Sequence, residues 1–141
     1  MSWLTWALLS AFFAAMTAIL AKVGVEEVGS NLATAVRTSV VVVFTWLLAY
    51  MTREASGAQV SSIAGRSWLF LFLSGLATGL SWLCYFHALK VGPVSRVAPI
   101  DKLSVALVIV LSAVFLGERL SGHKALGTLL IVAGAIVIAV E

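Results

Sequence analysis

The chain alternates between long apolar runs and short polar segments rich in glycine and charge. The runs are long enough to cross a bilayer, since a spanning helix needs about 20 mainly apolar residues. They predict five transmembrane helices, at about residues 3–22, 31–51, 67–89, 97–116 and 124–140. The intervening segments, such as "VGVEEVGSN" and "KVGPVSR", combine glycine with charge, which is typical of turns. The pattern therefore predicts an all-α membrane protein with a single transmembrane domain over residues 1–141.

Composition supports a lipid bilayer as the solvent. The chain is 62% apolar and only 11% charged, with a mean hydropathy of +1.11. Soluble domains average roughly 45–50% apolar and about 25% charged residues. A β-barrel would need short alternating strands rather than continuous apolar runs, so helices are expected. The first run, "WLTWALLSAFFAAMTAIL", exceeds the apolar part of a signal peptide and is predicted to be a retained helix.

Charge and cysteine usage exclude several classes of function. The net charge is +3, but the basic residues stand singly between apolar runs and form no stripe suited to nucleic acid. Cys84 is the only cysteine, so neither an intrachain disulfide nor a metal-ligand spacing is present in the sequence. No catalytic or phosphate-binding motif occurs, so we predict neither an enzyme nor a cofactor or metal site.

The distribution of basic residues leaves the orientation open. An odd number of spans puts the two termini on opposite sides of the membrane. Side A, the side of the N-terminus, holds segments 52–66 and 117–123, and side B holds segments 23–31 and 90–96. Side A carries Arg53, Arg66, Arg119 and Lys124, whereas side B carries Lys22, Lys90 and Arg96, with Lys102 just inside the fourth helix. This weak bias allows either insertion in both orientations or a fixed orientation with side A in the cytoplasm.

Two charged residues of the predicted spans, Arg37 in the second and Asp101 in the fourth, carry the candidate chemistry. Arg37 lies several residues into the second helix, roughly 10 Å from its start at 1.5 Å per residue. The second and fourth helices both start on side B, so Asp101 should lie at nearly the same depth. Because an arginine in hydrocarbon needs a partner or water, we predict that Arg37 pairs with Asp101.

These charges define a candidate substrate site. The functional interpretation is a polar vestibule that holds a substrate carboxylate or relays a proton, with Arg37 and Asp101 as polar contacts. Trp82, Tyr85 and His87 are candidate wall residues. The structural alternatives are an Arg37–Asp101 ion pair, packing by Trp82, an interfacial histidine, and lysines that reach the headgroups.

Proline and glycine mark the predicted helix ends and contacts. We expect Pro99 in the first turn of the fourth helix, where its missing N–H has little effect, and Pro93 in the preceding turn. Gly117 should end that helix in the left-handed conformation. Small residues at helical spacing favour close helix packing, and they are Gly75 with Gly79 and Gly127 with Gly134.

The second half of the chain resembles a known transporter family. The motifs are an "AL" that ends the third helix, a proline that opens the fourth, a following "LGER", and a glycine-bearing fifth helix. They correspond to Ala88, Leu89, Pro99, Gly117, Glu118, Arg119, Gly127 and Gly134. The chain resembles one EamA-like repeat of the drug/metabolite transporter superfamily, and Lys22 matches the lysine that ends the first helix.

The resemblance implies one half of an inverted-repeat transporter in the cell (plasma) membrane. Most such transporters carry two tandem five-helix repeats of opposite orientation, with the substrate path between them. A single repeat supplies half of the path, so the resemblance implies a partner. We expect a multi-pass subunit that moves a small metabolite or amphipathic compound by alternating access, as an antiparallel homodimer. The alternatives are a heterodimer with a paralogous half-transporter and a membrane accessory protein that transports nothing.

Overall fold

The computed structural model describes residues 2–119 and 121–140, and all of the regular secondary structure in this part of the chain is helical. The helices are α1 (Trp3–Val25), α2 (Ser30–Met51), α3 (Gly57–Ser61), α4 (Gly65–Val91), α5 (Val94–Asp101), α6 (Leu103–Leu116) and α7 (Gly122–Val140). Five segments are long and apolar enough to span a membrane, namely α1, α2, α4, α5 with α6, and α7. The predicted fold class, an all-α membrane protein, is therefore confirmed.

The described chain divides into two units. The central unit is Val23–Lys90, with the end of α1, all of α2 and α3, and α4 up to Lys90. Its buried side chains include Val25, Thr34, Phe86 and Leu89. All four lie near helix ends that the chain order assigns to side B, so the packed part of this unit is at that end.

The terminal unit contains the described residues among 1–22 and 91–141. Here α5 and α6 both pack against α7. Ala135 on α7 is buried, as are Ala18 and Ala21 on α1. Buried residues this small let helix backbones approach closely, which is the main source of helix association in lipid.

Most large apolar side chains lie on the outside of the chain. Leucine, valine and phenylalanine side chains are exposed along every span, and Phe44, Leu71 and Val114 are each more than half exposed. Such surfaces would be unfavourable in water but are the expected lining against lipid or a partner protein.

The fourth span differs from its prediction. It begins at Val94 rather than near residue 97, because Pro93 in an extended conformation precedes the first helical residue. Pro99 consequently lies inside α5 and not in the first turn, so that prediction was wrong. A proline there cannot donate to the carbonyl of Ser95. One tighter turn at Lys102 separates α5 from α6: its N–H bonds the Pro99 carbonyl at 3.1 Å, and its angles, φ −71° and ψ −7°, stay right-handed.

Helix ends show two further features. Gly117 follows α6 with φ 68°, so the predicted left-handed end is confirmed. Segment 52–66, expected as a loop, contains the short helix α3. Ser56 caps it, because its hydroxyl accepts the backbone N–H of Gln59 at 3.4 Å.

Candidate functional site

The most distinctive polar feature of the central unit is an arginine held by aromatic rings. The Cζ atom of Arg37, on α2, lies 4.1 Å from the centroid of the Trp82 ring. It also lies 5.6 Å from the centroid of the Phe86 ring. Cation–π contacts contribute about 0.5–1 kcal/mol at exposed sites and about 2 kcal/mol when desolvated. The two rings therefore fix the guanidinium of a charged side chain within a membrane-spanning helix.

The positions of these residues in their helices explain why they meet. Arg37 lies roughly 10 Å beyond the start of α2, at 1.5 Å per residue. Trp82 and Phe86 lie about 14 and 8 Å before the end of α4 on the same scale. Since α2 starts and α4 ends on side B, the three residues lie at similar depth. Trp82 and Phe86 are one helical turn apart, so both rings face the same neighbour.

The other predicted wall residues divide between two faces of α4. Tyr85 is half-buried and lies within electrostatic range of Arg37. It follows Trp82 by three residues and so shares its face. His87 is exposed and lies on another face, five residues beyond Trp82. Its role as a wall residue stays a prediction.

Arg37 differs from the lysines near the helix ends in its partners. Lys22 donates to the Gly92 carbonyl at 3.2 Å, and Lys90 donates to the Val28 carbonyl at 2.7 Å. Lys124 pairs with Glu118 at 3.5 Å. Within the residues that the structure describes, no hydrogen bond or carboxylate is found at the Arg37 guanidinium, and aromatic rings are its neighbours.

Asp101 lies in the terminal unit, at the end of α5. Its carboxylate accepts from the Lys102 ammonium at 3.1 Å, and the two side chains are 37% and 56% exposed. The opposite charges of Asp101 and Lys102 thus compensate each other at the junction between α5 and α6. Arg37 belongs to the central unit, and its pairing with Asp101 stays a prediction.

A separate groove of about 470 Å³ lies between α2 and α4. Its polar lining comes from α2, with Asn31, Thr34, Thr38 and Ser39, and Gly79 and Leu83 contribute from α4. Three of these hydroxyls donate to carbonyls one turn earlier in α2, at 2.7–3.0 Å. Arg37 is not among the lining residues.

A family model matches nearly the whole sequence. The model of the EamA-like transporter family matches residues 1–140. The chain belongs to the EamA-like transporter family. The resemblance inferred from the "LGER" segment and its flanking helices is therefore confirmed. Membership of this family, with five spanning helices, makes the chain a multi-pass membrane protein of a transporter family.

A curated relative extends over nearly the same length. It is a protein of Sinorhizobium sp named "Uncharacterized transporter in cobO 3'region". The two sequences are 52% identical over 139 residues, which cover 99% of this chain and 97% of that protein. No solved structure gives a significant match. That relative, named a transporter, thus has the length of one EamA-like repeat.

Sequence reasoning had proposed Arg37, Trp82 and Tyr85 as site residues of this EamA-like chain, and the structure brings them together. The sequence did not single out Phe86, the second ring that contacts the guanidinium. Two signals in the sequence could have found it. Phe86 follows Trp82 by one helical turn, and its distance from the end of α4 matches the depth of Arg37 in α2. An arginine at that depth needs a partner, and an aromatic face can serve.

Proposed function

We propose that this chain is a subunit of a cell-membrane transporter that moves a small metabolite or amphipathic compound by alternating access. In this proposal it works as an antiparallel homodimer, with each copy forming half of the substrate path. The observation that carries the proposal is the single five-helix unit, because an odd number of spans gives two opposed copies the symmetry of an inverted repeat. The relative named "Uncharacterized transporter" aligns with this chain over nearly its whole length, in keeping with a transport role.

Loop charge supports the antiparallel arrangement. Orientation follows the excess of basic residues on the cytoplasmic side, and here the two sides carry nearly equal numbers. A chain with so small a bias can insert both ways up, which supplies both partners from one gene. The exposed apolar faces of the spans leave ample surface for a second copy.

We assign the substrate contacts to the residues singled out above. Arg37 and Asp101 supply polar contacts, and Trp82, Tyr85 and His87 form walls of the path. The fourth span carries Asp101 and Lys102, adjacent side chains of opposite charge, and charged residues inside spans commonly mark a transport pathway.

Two alternatives predict different partners. In a heterodimer, a paralogous half-transporter of fixed orientation completes the path. In an accessory role, the chain assembles with other membrane proteins and moves nothing. Neither alternative requires two orientations of this chain.

The test is flux through the purified chain alone. The protein is reconstituted into liposomes and challenged with a mixture of labelled carboxylates, amines and neutral solutes. The homodimer proposal predicts flux without any second gene product, together with a dimer in native mass spectrometry from lipid. Flux that appears only when a paralogue is added supports the heterodimer. Absence of flux for every solute, with normal growth of cells that carry Arg37→Gln, supports the accessory role.

A further inference from the structure

We infer that the transported solute carries a carboxylate or phosphate group, which the Arg37 guanidinium binds while Trp82 and Phe86 hold it in position. This inference rests on the proposed transport function and adds to it the charge of the substrate. It assigns Arg37 as a binding residue and the two rings as positioning residues.

The aromatic contacts of Arg37 do not use its N–H donors. Rings that stack on a guanidinium contact its flat face, and the Trp82 centroid lies 4.1 Å from Cζ. The five N–H donors of arginine lie in the plane of the group and point outward from its edge. A ring that covers the face takes up none of these donors, and no hydrogen bond to them is found within the described residues. The donors are therefore available to another group.

The depth of Arg37 in the membrane makes unused N–H donors unfavourable. Arg37 lies roughly 10 Å into a helix that spans the membrane, at 1.5 Å per residue. Donors at that depth are unfavourable without an acceptor, and charged residues inside spans therefore mark pathways or face water. Among the described residues of the central unit, no oxygen accepts a hydrogen bond from Arg37, and the Tyr85 hydroxyl acts on it electrostatically. An oxyanion from outside this unit can therefore supply the acceptor.

Several other polar side chains that could bind Arg37, or bind an anion in its place, already have partners. The Thr34 and Thr38 hydroxyls donate to carbonyls of their own helix at 2.8 and 2.7 Å. Asp101, the acidic residue of the fourth span, already accepts from Lys102 at 3.1 Å. The lysines at the ends of α1 and α4 have carbonyl partners. Arg37 is therefore the intramembrane cation best suited to an external oxyanion.

The chemistry of the group specifies the ligand. A guanidinium presents paired parallel N–H donors that match the two oxygens of a carboxylate or phosphate. A cationic solute would be repelled, and a neutral one would gain less from the charge. A phospholipid phosphate offers the same oxyanion, so the experiment must separate a solute from a lipid.

Trp82 provides a direct probe of binding. In a variant with Trp3, Trp6, Trp46 and Trp68 replaced by phenylalanine, Trp82 is the sole tryptophan. Its fluorescence is followed in a nonionic, phosphate-free detergent during titration with sodium acetate, sodium phosphate and tetramethylammonium chloride. We expect a saturable change with acetate or phosphate and none with tetramethylammonium. Arg37→Gln should weaken anion binding about tenfold or more, the usual effect of losing a charge-assisted hydrogen bond.

A matched control is Arg66→Gln. Arg66 also rests on an aromatic ring, with Cζ 5.7 Å from the Phe70 centroid, but it lies at the start of α4 on side A. This variant should bind the anions as the parent does. Circular dichroism melts check folding, and Arg37→Lys, which keeps the charge but not the paired donors, should bind with intermediate strength. An anion response that survives in Arg37→Gln, or no anion response in the folded parent, overturns the inference.

A lipid arm and a flux arm complete the design. The titration is repeated in phosphatidylcholine vesicles with and without phosphatidylglycerol. If phosphatidylglycerol alone gives the Arg37-dependent change and abolishes the response to acetate and phosphate, the ligand is a lipid and the inference is wrong. Flux of amines or neutral solutes that is unaffected by Arg37→Gln also refutes it, while the proposed transport function stands. Arg37-dependent binding of acetate or phosphate in a protein that shows no flux supports the anion site and refutes transport.

Discussion

At the scale of single residues, the chemistry of this chain depends on how a charge is kept inside a membrane. Lysines at helix ends reach backbone carbonyls, as Lys90 does with Val28 at 2.7 Å. Asp101, the acidic residue of the fourth span, pairs with the neighbouring Lys102. Arg37 is treated differently, since the aromatic faces of Trp82 and Phe86 hold it and its donors remain for another acceptor. This difference separates structural charges from a candidate ligand contact.

The positioning role of Trp82 can be tested by substitution. Trp82→Leu removes the aromatic face, and we expect the acetate concentration that gives half of the maximal thermal stabilisation to rise about twofold to thirtyfold, in line with a cation–π contact of about 0.5–2 kcal/mol. Trp82→Phe retains a ring and should recover most of the affinity. The measurement is the melting temperature in detergent against acetate concentration, with chloride as the control salt. Equal affinity in the Leu and Phe variants would contradict a positioning role.

Sequence reasoning reached some of these residues and not others, for a physical reason. Arg37 stands out because a charge within an apolar run is rare. Trp82 and Tyr85 stand out because aromatic residues near that depth could line a path. Phe86 does not stand out, since phenylalanine is unremarkable in a membrane helix. Only the side-chain geometry between α2 and α4 distinguishes a ring that contacts the guanidinium from one that faces lipid.

At the scale of helices and turns, two helix ends adopt the same left-handed conformation with different residues. Gly117 follows α6 with φ 68°, and Arg53 follows α2 with φ 61°. After α2, the Glu54 N–H bonds the Ala49 carbonyl at 2.9 Å and the Arg53 N–H bonds the Tyr50 carbonyl at 3.1 Å. This pair of bonds is a common helix ending in which glycine usually occupies the left-handed position. Arg53 therefore carries a conformational cost that Gly117 avoids.

Arg53→Gly should stabilise the protein. Relief of the left-handed conformation is expected to raise the free energy of unfolding by about 0.5–1 kcal/mol, after the added freedom of glycine in the unfolded chain is subtracted. Equilibrium unfolding in mixed micelles measures the change. Arg53→Ala is the control, because it removes the charge and retains the side-chain carbon that causes the strain. Stabilisation by alanine equal to that by glycine would indicate that charge, and not backbone conformation, is responsible.

The break in the fourth span gives a second prediction at this scale. Pro99→Ala restores an N–H that can donate to the Ser95 carbonyl, so α5 should gain about 1 kcal/mol of stability. Thermal unfolding followed by circular dichroism measures this gain. The double variant Ala98→Pro with Pro99→Ala, which moves the proline by one residue within the same helix, should lose this gain. A neutral or destabilising Pro99→Ala would show that the surrounding structure already compensates the missing bond.

The apolar pattern predicted the spans far better than it predicted their interruptions. Each long apolar run became a helix, because backbone groups in lipid must bond within their own segment. The start of α5 was misplaced because Pro99 was interpreted as a first-turn proline, whereas Pro93 sets the start. The short helix α3 was missed because a single cap at Ser56 stabilises it without an apolar period. Local hydrogen bonds of this kind leave little trace in a hydropathy profile.

At the scale of the whole molecule, the question is how a chain with one five-helix repeat forms a complete substrate path. The chain belongs to the EamA-like transporter family and has five spanning helices with nearly equal basic charge on the two sides. The proposed antiparallel dimer depends on that balance. A change in loop charge should therefore control activity without touching the substrate site.

Two variants with opposite orientation bias should complement each other when they are expressed together. The double variant Gly29→Lys with Val91→Lys adds basic charge to side B, and Ala58→Lys with Ala55→Lys adds it to side A. Each variant expressed alone should insert in one orientation and lose most flux, whereas the two together should restore it. Flux in membrane vesicles measures both conditions. Full activity of either variant alone would contradict an obligate antiparallel pair.

Single-cysteine labelling in native membranes is the most direct test of whether the chain inserts in both orientations. In a Cys84→Ser background, Ala58→Cys places a thiol on side A and Val91→Cys places one on side B, and both sites are exposed. A membrane-impermeant maleimide added to intact cells labels only the outward thiols. The antiparallel account predicts that roughly half of the molecules label at each position, as expected for a weak orientation bias. Complete labelling at one position and none at the other would contradict it.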